Sequence, residues 1–485
     1  MNLEFSSVMN FSLATPEIFL LSATCFILLL DVFSGEKGRT IGYICAIGAM
    51  LTTAFLVVAS SGGDKTEAFN GMFVLDSMSI VLKTSVLLIV VAIFIYARPY
   101  LIDRKIFKGE FYTLSMFATL GMMIMISANT MLVVYLGLEL LSLSLYALVA
   151  FRRDDGRGSE AAMKYFVLGA IASGMLLYGM SILYGLSGSI DLKGVASYVA
   201  NQQIMSNIVL LFGLCFIIVG LGFKFGVAPF HMWVPDVYQG APTPITMFLG
   251  SAPKIAAFAM TMRLLVNGME FGSAGWQQML IPLAVLSLVI GNIAAIAQSN
   301  IKRMLAYSTI SHMGFVVLGI LSANEAGYSA AMFYAITYAI TALGGFAIIL
   351  LLSHSGVEAE KLDDLRGLND RHPWYAFMML VFLFSMAGVP PLVGFYAKLA
   401  ILQAVVEAGF VWLAVLAVIM SVVGAYYYLR AVKLMYFDKP ADESSLVMGA
   451  GFNALLTTNG LLVIALGLFP GLLMALCAEA IKASL

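Results

Sequence analysis

Apolar runs of about 20 residues follow one another along almost the whole chain, each bounded by charged residues or by clusters of glycine and proline. A run of this length crosses the hydrocarbon core of a bilayer as a helix, because lipid offers no hydrogen-bond partner to an open backbone. Of the 485 residues, 61% are hydrophobic and only 11% are charged, and the mean hydropathy is +0.96. These values exclude a soluble globular domain. The sequence therefore predicts an all-α polytopic membrane protein with about fourteen transmembrane helices.

The rest of the composition excludes several classes of function. The net charge of −1 argues against binding to nucleic acid, which needs a concentrated basic surface. The four cysteines are dispersed and form no Cys-x-x-Cys pair, so we expect neither an iron–sulfur cluster nor a zinc site in this chain. The longest connections between apolar runs, 187–206 and 354–374, are too short to fold as separate domains.

The distribution of lysine and arginine predicts the orientation of the chain, because positive residues are retained on the cytoplasmic side of a membrane. Of the 26 lysines and arginines, 17 fall in alternate predicted loops, beginning with the loop after the first span. The other loops and the C-terminus contain only Lys65, Lys193, Arg263 and Lys482. The sequence therefore predicts that both termini lie outside the cytoplasm.

Two of the predicted spans contain helix-breaking residues. The seventh, 207–233, contains Gly226 and Pro229, and the twelfth, 375–406, contains Gly388 followed by Pro390 and Pro391. Proline lacks the backbone donor and its ring clashes with the preceding turn, so we expect each helix to break near the glycine. Such kinks are often only architectural in membrane helices.

The two breaks lie five spans apart, so their helices cross the membrane in opposite directions. Interrupted helices at corresponding places in an inverted repeat indicate a transport site. We therefore predict an N-terminal three-helix segment (1–110), a first repeat of spans 4–8 (111–267), a second repeat of spans 9–13 (268–440) and a last span (441–485).

Ionisable side chains inside the apolar runs are the main indication of function. They are Lys83, Lys164, Lys224, Lys254, Lys398 and Glu139. A charge at the centre of a membrane helix costs about 2.5 to 3.5 kcal/mol unless it is paired or hydrated. Ionisable groups in series across a membrane interior usually mark an ion or proton path.

Glu139 and Lys224 are the best candidates for a buried pair. Glu139 lies about nine residues into the fifth predicted span, close to the bilayer midplane. An unpaired buried carboxylate would be protonated and an unpaired buried lysine neutral, whereas a pair can hold both charges. We expect the two residues to meet, either as part of a proton path or as a static ion pair that joins two helices.

Lys254 lies near mid-depth in the eighth predicted span, with no acidic residue at comparable depth, and Lys398 is in a similar situation in the second half. A desolvated lysine gives up its proton more readily than one in water, so both residues can exchange protons near neutral pH. His312 lies in sequence between them and is either a bridging relay or a hydrogen-bonded core residue.

Three further residues have alternative interpretations. Lys164 lies near the end of the sixth predicted span and is either a relay or an anchor whose side chain reaches the interface. His231 follows the first helix break, where it is a possible relay at a channel mouth. Lys83 lies outside both repeats, and a structural or subunit-contact role is favoured for it.

Four segments of the sequence resemble the antiporter-like membrane subunits of respiratory complex I. They are LGLELLSLSLYAL, KFGVAPFHMWVPDVYQGAPTPITMFLGSAPKIAAFA, YSTISHMG and AGVPPLVGFYAKL. The resemblance covers nearly the whole chain. It implies that Glu139 modulates the protonation of Lys224. It further implies that Lys254 is the central relay and Lys398 the terminal group of a proton path.

The resemblance also implies cofactors and partners. Subunits of this family contain no redox cofactor, and NADH, flavin, iron–sulfur clusters and quinone belong to other subunits of the complex. The partners would be other membrane-arm subunits, including an antiporter-like M-type subunit and small membrane subunits, in the inner membrane of a bacterium. Quinone reduction elsewhere in the complex would supply the energy for proton translocation.

Other functions share some of these features. A multisubunit cation/proton antiporter subunit, or the membrane subunit of an energy-converting hydrogenase, would contain the same lysines. A solute carrier would transport its substrate without partners. In a purely structural scaffold, neutralising the buried charges would change assembly alone.

Overall fold

Helices form nearly all of the described chain. The computed structural model describes residues 9–60, 65–202, 204–353, 358–440 and 448–485. Within these ranges the α-helices, numbered in chain order, are α1 Thr15–Ala59, α2 Ser77–Asp103, α3 Gly109–Ile126, α4 Met131–Val149, α5 Gly156–Ser187, α6 Leu192–Ala200, α7 Ile208–Phe225, α8 Trp233–Gly240, α9 Thr243–Gly250, α10 Ala252–Thr261, α11 Ser273–Ile296, α12 Ile301–Leu321, α13 Glu325–Leu352, α14 Leu368–Arg371, α15 Pro373–Ala387, α16 Val393–Glu407, α17 Val411–Phe437, α18 Ala450–Leu468 and α19 Gly471–Lys482.

Short elements complete the secondary structure. A π-helix, Met262–Asn267, continues α10, and 3-10 helices cover Phe11–Ala14, Ile204–Ser206, Glu270–Gly272 and Leu362–Leu365. Strands β1 (Thr66–Ala68) and β2 (Phe73–Leu75) form an antiparallel hairpin with Thr66 opposite Leu75.

Thirteen helical segments of the described residues are long and apolar enough to cross a membrane. The predicted twelfth span is not among them, because it consists of two shorter helices, α15 and α16, of 15 residues each. Helix α1 contributes two spans, since its backbone bends at Gly35 (φ +56°, ψ −143°). The predicted all-α polytopic fold, with broken helices in spans seven and twelve, is confirmed. The division into two repeats stays a prediction, and its boundary at residue 441 lies outside the described residues.

The loops meet on two opposite faces of the helical bundle. On one of them Asn300 forms a backbone bridge with Lys361, and Arg366 lies 3.6 Å from Asp438. We call this the basic face, and it consists of residues 104–108, 150–155, 231–242, 297–300, 358–372 and 438–440.

The opposite face is held together by backbone hydrogen bonds between separate loops. Val74 of β2 donates to Ser127 at 2.9 Å, and Met131 donates to Ile190 at 3.0 Å. We call this the hairpin face, and it consists of residues 65–76, 127–130, 188–202, 204–207, 268–272, 322–324, 408–410 and 483–485.

Three spans form the centre of the bundle: α9 with α10 and its π-helix, α12, and α13, whose residues are almost all buried. Helices α1, α5, α17 and α18 form the periphery and leave apolar side chains exposed toward the position of lipid. Two of the sequence-predicted groups, Lys254 on α10 and His312 on α12, lie on these most enclosed helices.

A buried ion pair fixes the hairpin-face end of the central helices. Arg263, in the π-helix, donates to both carboxylate oxygens of Asp76, at 2.7 and 2.9 Å, and its Nε donates to the carbonyl of Ile126 at 3.0 Å. Asp76 in turn caps α2 through the backbone of Ser79. One guanidinium therefore joins α2, α3 and α10. The sequence analysis placed Arg263 in a loop, and the structure instead buries it at the end of span eight.

Arg263 also determines the ionisation of its partner. Burial by itself would raise the pKa of the Asp76 carboxyl, but the Arg263 guanidinium and the Ser79 hydrogen bonds hold that pKa below its ordinary value of 3.8. The stabilisation from this group is therefore present at neutral pH and is lost only as the pH falls below that value.

We expect Arg263→Met to destabilise the protein by about 3 to 5 kcal/mol, because it leaves the buried Asp76 carboxylate without its partner. The double variant Asp76→Leu/Arg263→Met should be less harmful than the single variant, since it removes both charges. Thermal unfolding of the purified protein in mild detergent measures both. Equal stability of the single variant and the wild-type protein would show that the pair does not hold this face together.

Candidate functional site

The helix breaks predicted at the two glycines are present and have the same backbone structure. Helix α7 ends at Phe225 and is followed by Gly226 with φ +76°, and α15 ends at Ala387 and is followed by Gly388 with φ +87°. At each end the glycine N–H bonds back three and four residues, and the next N–H bonds back five residues. This is a Schellman motif, which requires a left-handed residue that only glycine adopts without strain.

Prolines separate each break from the helix that follows. Pro229 follows Gly226 by three residues, and its peptide bond with Ala228 is cis. Pro390 and Pro391 follow Gly388, and the bond between them is cis. Because proline cannot donate a backbone hydrogen bond, neither segment can continue the helix. Both breaks therefore leave helix ends inside the bundle.

A lysine from another helix binds the last carbonyl at each break. Lys254 Nζ donates to the carbonyl of Phe225 at 2.9 Å, and Lys398 Nζ donates to the carbonyl of Ala387 at 2.9 Å. The last carbonyls of a helix lack partners within the helix, and the helix dipole makes this end attractive to cations. Each lysine is thus the C-terminal cap of a broken helix.

An aromatic ring flanks each capping lysine. The Trp233 ring centre lies 5.4 Å from Lys254 Nζ, and the Phe315 ring centre lies 5.3 Å from Lys398 Nζ. At these distances the face of the ring attracts a cation. Lys224 is the lysine nearest in sequence to the first break, two residues before Gly226. The contacts instead make Lys254 the counterpart of Lys398.

Lys224 lies at the same helix end but points toward α4. Its side chain is buried, and Nζ donates to the Ser142 hydroxyl at 3.1 Å. Ser142 is one turn along α4 from Glu139, and Glu139 Oε1 is buried without a hydrogen-bond partner in the described part of the chain. The expected contact between Glu139 and Lys224 is therefore not a direct ion pair, because a serine hydroxyl occupies the position next to the ammonium.

His312, on α12, lies close to the second helix break. It is buried, with Nδ1 at 2.6 Å from the Tyr334 hydroxyl and Nε2 at 3.0 Å from the Tyr428 hydroxyl. A cavity with room for about one water molecule separates its ring from Ser385 and Ala397, which flank the second break. His312 is thereby placed one water molecule from the elements that hold Lys398.

Hydroxyl groups occupy the space between Lys254 and His312. The Tyr238 hydroxyl is buried and faces Gly250, one turn before Lys254. Tyr338 donates to Thr309 at 2.7 Å, and its ring centre lies 4.8 Å from that of His312. Neither tyrosine is among the sequence-predicted residues. A sequence signal exists for Tyr338 alone, because tyrosine favours the membrane interface and Tyr338 lies in the middle of α13.

Lys164 and His231 lie at the edge of this arrangement, toward the basic face. Lys164 Nζ is 2.9 Å from both Glu160 and Asp236, and its side chain is 44% exposed. These ion pairs support the anchor interpretation. His231 lies between α7 and α8; its Nδ1 is buried without a partner in the described part, and burial lowers the pKa of its ring.

Asp236 is the centre of the anchoring contacts. Arg303 lies 2.7 Å from its other carboxylate oxygen. Burial alone would raise the pKa of Asp236, but its hydrogen bonds to Lys164 and Arg303 hold the pKa below its usual value. Helix α8 is thereby fixed to α5 and α12.

Lys83 belongs to a separate buried pair. Its Nζ lies 2.5 Å from Glu17 and 4.7 Å from the centre of the Phe73 ring, and both charged side chains are buried. Glu17, in the first span, is thus a further carboxylate inside an apolar run, beside the predicted Glu139. The pairing supports a structural role for Lys83, outside the site formed by the two breaks.

Lys302, at the start of α12, is a further buried lysine. It is 2% exposed, and Nζ donates to the carbonyl of Ala241 at 3.0 Å, just after α8 ends. Nearby, the Glu358 carboxylate accepts hydrogen bonds from Tyr100 and Thr243. In the described ranges no three His, Cys, Asp or Glu side chains come close enough to hold a metal ion.

Comparison with known proteins gives consistent matches. The sequence profile of the family described as NADH:quinone oxidoreductase/Mrp antiporter, TM, matches residues 128–424. NADH-quinone oxidoreductase subunit N from Thioalkalivibrio sulfidiphilus is 59% identical over 473 residues, which cover 98% of each chain.

Solved structures match over almost the full length. A chain of respiratory complex I from Thermus thermophilus, solved with bound aureothin, is 33% identical, with a TM-score of 0.82 over 96% of this chain and 100% of that one. A chain of the Mrp complex from Dietzia sp. is 19% identical, with a TM-score of 0.84 over 98% of this chain and 97% of that one, which shows a shared fold.

Substitution of the left-handed glycines should reveal the packing at each break. Gly226→Ala should destabilise most, because its Cβ would lie 2.6 Å from Val234 Cγ2. Gly388→Ala would meet the flexible end of Lys398 at 3.0 Å and should be milder. Gly409→Ala is the matched control, with φ +86° and open space around it, and should cost about 1 to 2 kcal/mol. Thermal unfolding measures the loss of stability in each variant, and equal losses in all three would contradict the expected order.

Proposed function

The chain belongs to the NADH:quinone oxidoreductase/Mrp antiporter family of membrane subunits and to its subunit N group, and from this we propose that it translocates protons through its buried lysines. It acts as a membrane subunit of a bacterial NADH-quinone oxidoreductase, in the cell membrane. The observation that supports a proton path is the pair of lysine-capped helix breaks. Lys254 and Lys398 each place one exchangeable proton at a helix end inside the bundle.

The first half of the path begins at the end of α7, where two lysines meet. Lys224 directly precedes Phe225, whose carbonyl binds Lys254. The ammonium groups of Lys224 and Lys254 repel each other, so protonation of one lysine disfavours protonation of the other. Glu139 lies one turn beyond Ser142 and stabilises the charge on Lys224. A change in the ionisation or position of Glu139 therefore shifts the proton between Lys224 and Lys254.

The second half carries the proton from Lys254 to Lys398. The Tyr338 hydroxyl donates to Thr309, and the Tyr338 ring packs against His312, whose two nitrogens contact the hydroxyls of Tyr334 and Tyr428. His312 can accept a proton at one ring nitrogen and release it from the other. A water molecule in the cavity beside it would pass that proton toward Lys398. Binding at the Ala387 carbonyl then holds the proton on Lys398 Nζ.

The energy for this transfer comes from elsewhere in the complex. We assign NADH, flavin, iron–sulfur clusters and quinone to other subunits, and the membrane-arm partners to M-type and small membrane subunits. The cation/proton antiporter function is the second candidate, and the Dietzia Mrp complex shares the fold at 19% identity. The 59% identity to a subunit N protein favours NADH-quinone oxidoreductase.

The proposed orientation places the basic face in the cytoplasm and both termini outside, because positive residues concentrate on that face. Ser484 lies on the hairpin face, where its carbonyl accepts a hydrogen bond from Lys65 at 3.0 Å. The proposed inverted repeats, 111–267 and 268–440, then place the two breaks in oppositely directed spans.

We expect Lys224→Arg to assemble normally yet lose proton pumping about ten-fold or more, because arginine keeps its charge and does not release a proton. Glu139→Gln should have a similar effect, since the neutral amide no longer stabilises the lysine charge, and Glu139→Asp should be milder. Proton pumping and quinone reductase rate in inverted vesicles, normalised to assembled complex, measure these effects.

Lys164→Arg is the matched control for this series. The guanidinium can keep the ion pairs to Glu160 and Asp236, so an anchoring lysine tolerates the change. If the assembled Lys224→Arg and Glu139→Gln variants pumped protons at the wild-type rate, these residues would have a structural role only. The proposed proton path through α7 would then be wrong.

Reporter fusions test the orientation. Alkaline phosphatase joined after residue 485 should be active, and a fluorescent protein at the same place should be dark, because that end lies on the hairpin face. The control is fusion after residue 439 of the basic face, where the two reporters should behave in the opposite way. An inverted pattern at both sites would place the basic face outside.

A further inference from the structure

A buried polar network on α11, α12 and α17 reaches from His312 toward the basic face. We infer that this network is a second proton branch, which supplies His312 from the basic face independently of Lys224. The inference rests on the proposed function, because it assigns a further access route to the same proton path. It concerns residues that the path from Lys254 to Lys398 does not use.

The first part of the network is a chain of hydroxyl groups. The Tyr428 hydroxyl lies 3.0 Å from His312 Nε2 and 2.5 Å from the Ser308 hydroxyl. All three residues are almost fully buried. Hydroxyls both accept and donate hydrogen bonds, so this chain can carry a proton, whereas an apolar contact cannot.

The second part of the network lies beside the first. Asn292 donates to the Ser311 hydroxyl at 2.9 Å and accepts from the Tyr427 hydroxyl at 3.3 Å. The rings of Tyr427 and Tyr428 lie 4.2 Å apart, which joins the two parts. A buried amide and several hydroxyls supply the two to four partners that an ordered water molecule needs.

The network extends from His312 toward the basic face. Ser308 lies one turn nearer than His312 to the start of α12, which is on the basic face. Asn292 lies one turn, about 6 Å, before α11 ends on that face. Tyr428 lies nine residues before α17 ends there. Three helices thus place their polar groups on the basic-face side of His312.

Arg430 lies between the network and the basic face. It lies two residues beyond Tyr428, and its guanidinium donates to the carbonyls of Ile296 and Gln298 at 3.3 Å each. Gln298 belongs to the basic face defined above. One helical turn therefore separates the Asn292 amide from a polar group at the surface, a gap that a water molecule can bridge.

Proton transfer along the branch leaves each hydroxyl unchanged. Tyr428 gives its hydroxyl proton to His312 Nε2 and takes a proton from the Ser308 side. Ser308 is restored by water from the basic face. The imidazolium then releases the proton on Nδ1 toward Tyr334, so His312 returns to its neutral form with the other tautomer. The chain resets when the hydroxyls rotate and His312 returns to the Nδ1–H tautomer by proton exchange with water in the cavity that its ring lines.

Access of a small ion tests the branch without measuring transport. In the intact complex, the four native cysteines of this chain are replaced by alanine, and Ser308→Cys or Leu318→Cys is introduced into α12. Leu318 is fully buried on the same helix among apolar residues and is the matched control. Ag⁺ is added to sealed vesicles of either orientation, and the remaining thiol is alkylated after denaturation.

We expect Ag⁺ to block the thiol introduced by Ser308→Cys about ten-fold faster than the one introduced by Leu318→Cys, because only position 308 lies in the polar network. The faster reaction should occur in vesicles whose basic face is outward. Equal rates for the two thiols, or faster reaction from the hairpin face, would overturn the inference. Neither result depends on the Lys224 variants, so failure of the branch and failure of the proposed function are distinguishable.

Tyr428→Phe tests the proton transfer itself. It removes the hydroxyl between Ser308 and His312 and keeps the ring against Tyr427. We expect proton pumping per assembled complex to fall about three-fold, because one supply route is lost. Tyr426→Phe is the matched control, since that neighbouring side chain is exposed toward lipid, and it should pump normally. Unchanged pumping by Tyr428→Phe, or a loss equal to its loss of assembly, would show that the network only packs helices.

Discussion

The capped helix breaks are the constraint on which the rest of the structure depends. A helix that ends inside a bilayer leaves carbonyls that neither lipid nor its own turns can satisfy. At both breaks a lysine ammonium from another helix supplies the missing donor. The lysine in turn needs the carbonyl, because an isolated ammonium in a membrane is costly. The break and the charge therefore stabilise each other, and neither would be tolerated alone.

The charged groups divide into two kinds by the partners they have. Arg263 with Asp76, and Lys83 with Glu17, form direct ion pairs and hold helices together. A lysine at a carbonyl is different, because its partner is neutral whether or not the lysine is protonated. The lysine can therefore lose its proton without leaving a buried carboxylate unpaired. This difference in partner chemistry separates the proposed proton path from the structural pairs.

In the proposed path, serine and tyrosine hydroxyls lie beside ionisable groups of both halves. Lys224 contacts Ser142, one turn along α4 from Glu139, where the sequence led us to expect direct contact with Glu139 itself. Two charges that are not in direct contact are coupled less strongly than those of a tight ion pair. His312 is held between two tyrosine hydroxyls, which fixes its ring while leaving both nitrogens in contact with possible proton donors and acceptors.

The sequence by itself determined the number of spans, the two breaks and the lysines inside apolar runs, because each depends on residues that are neighbours in the chain. Gly226 and Gly388 could be identified from the prolines that follow them. Only the tertiary structure decided which side chains meet, such as Lys254 with a carbonyl 29 residues earlier and Arg263 with a carboxylate 187 residues earlier. It also showed that Lys164, inside an apolar run, faces the surface. Hydropathy records the length of a helix, whereas contacts depend on how helices rotate and pack against one another.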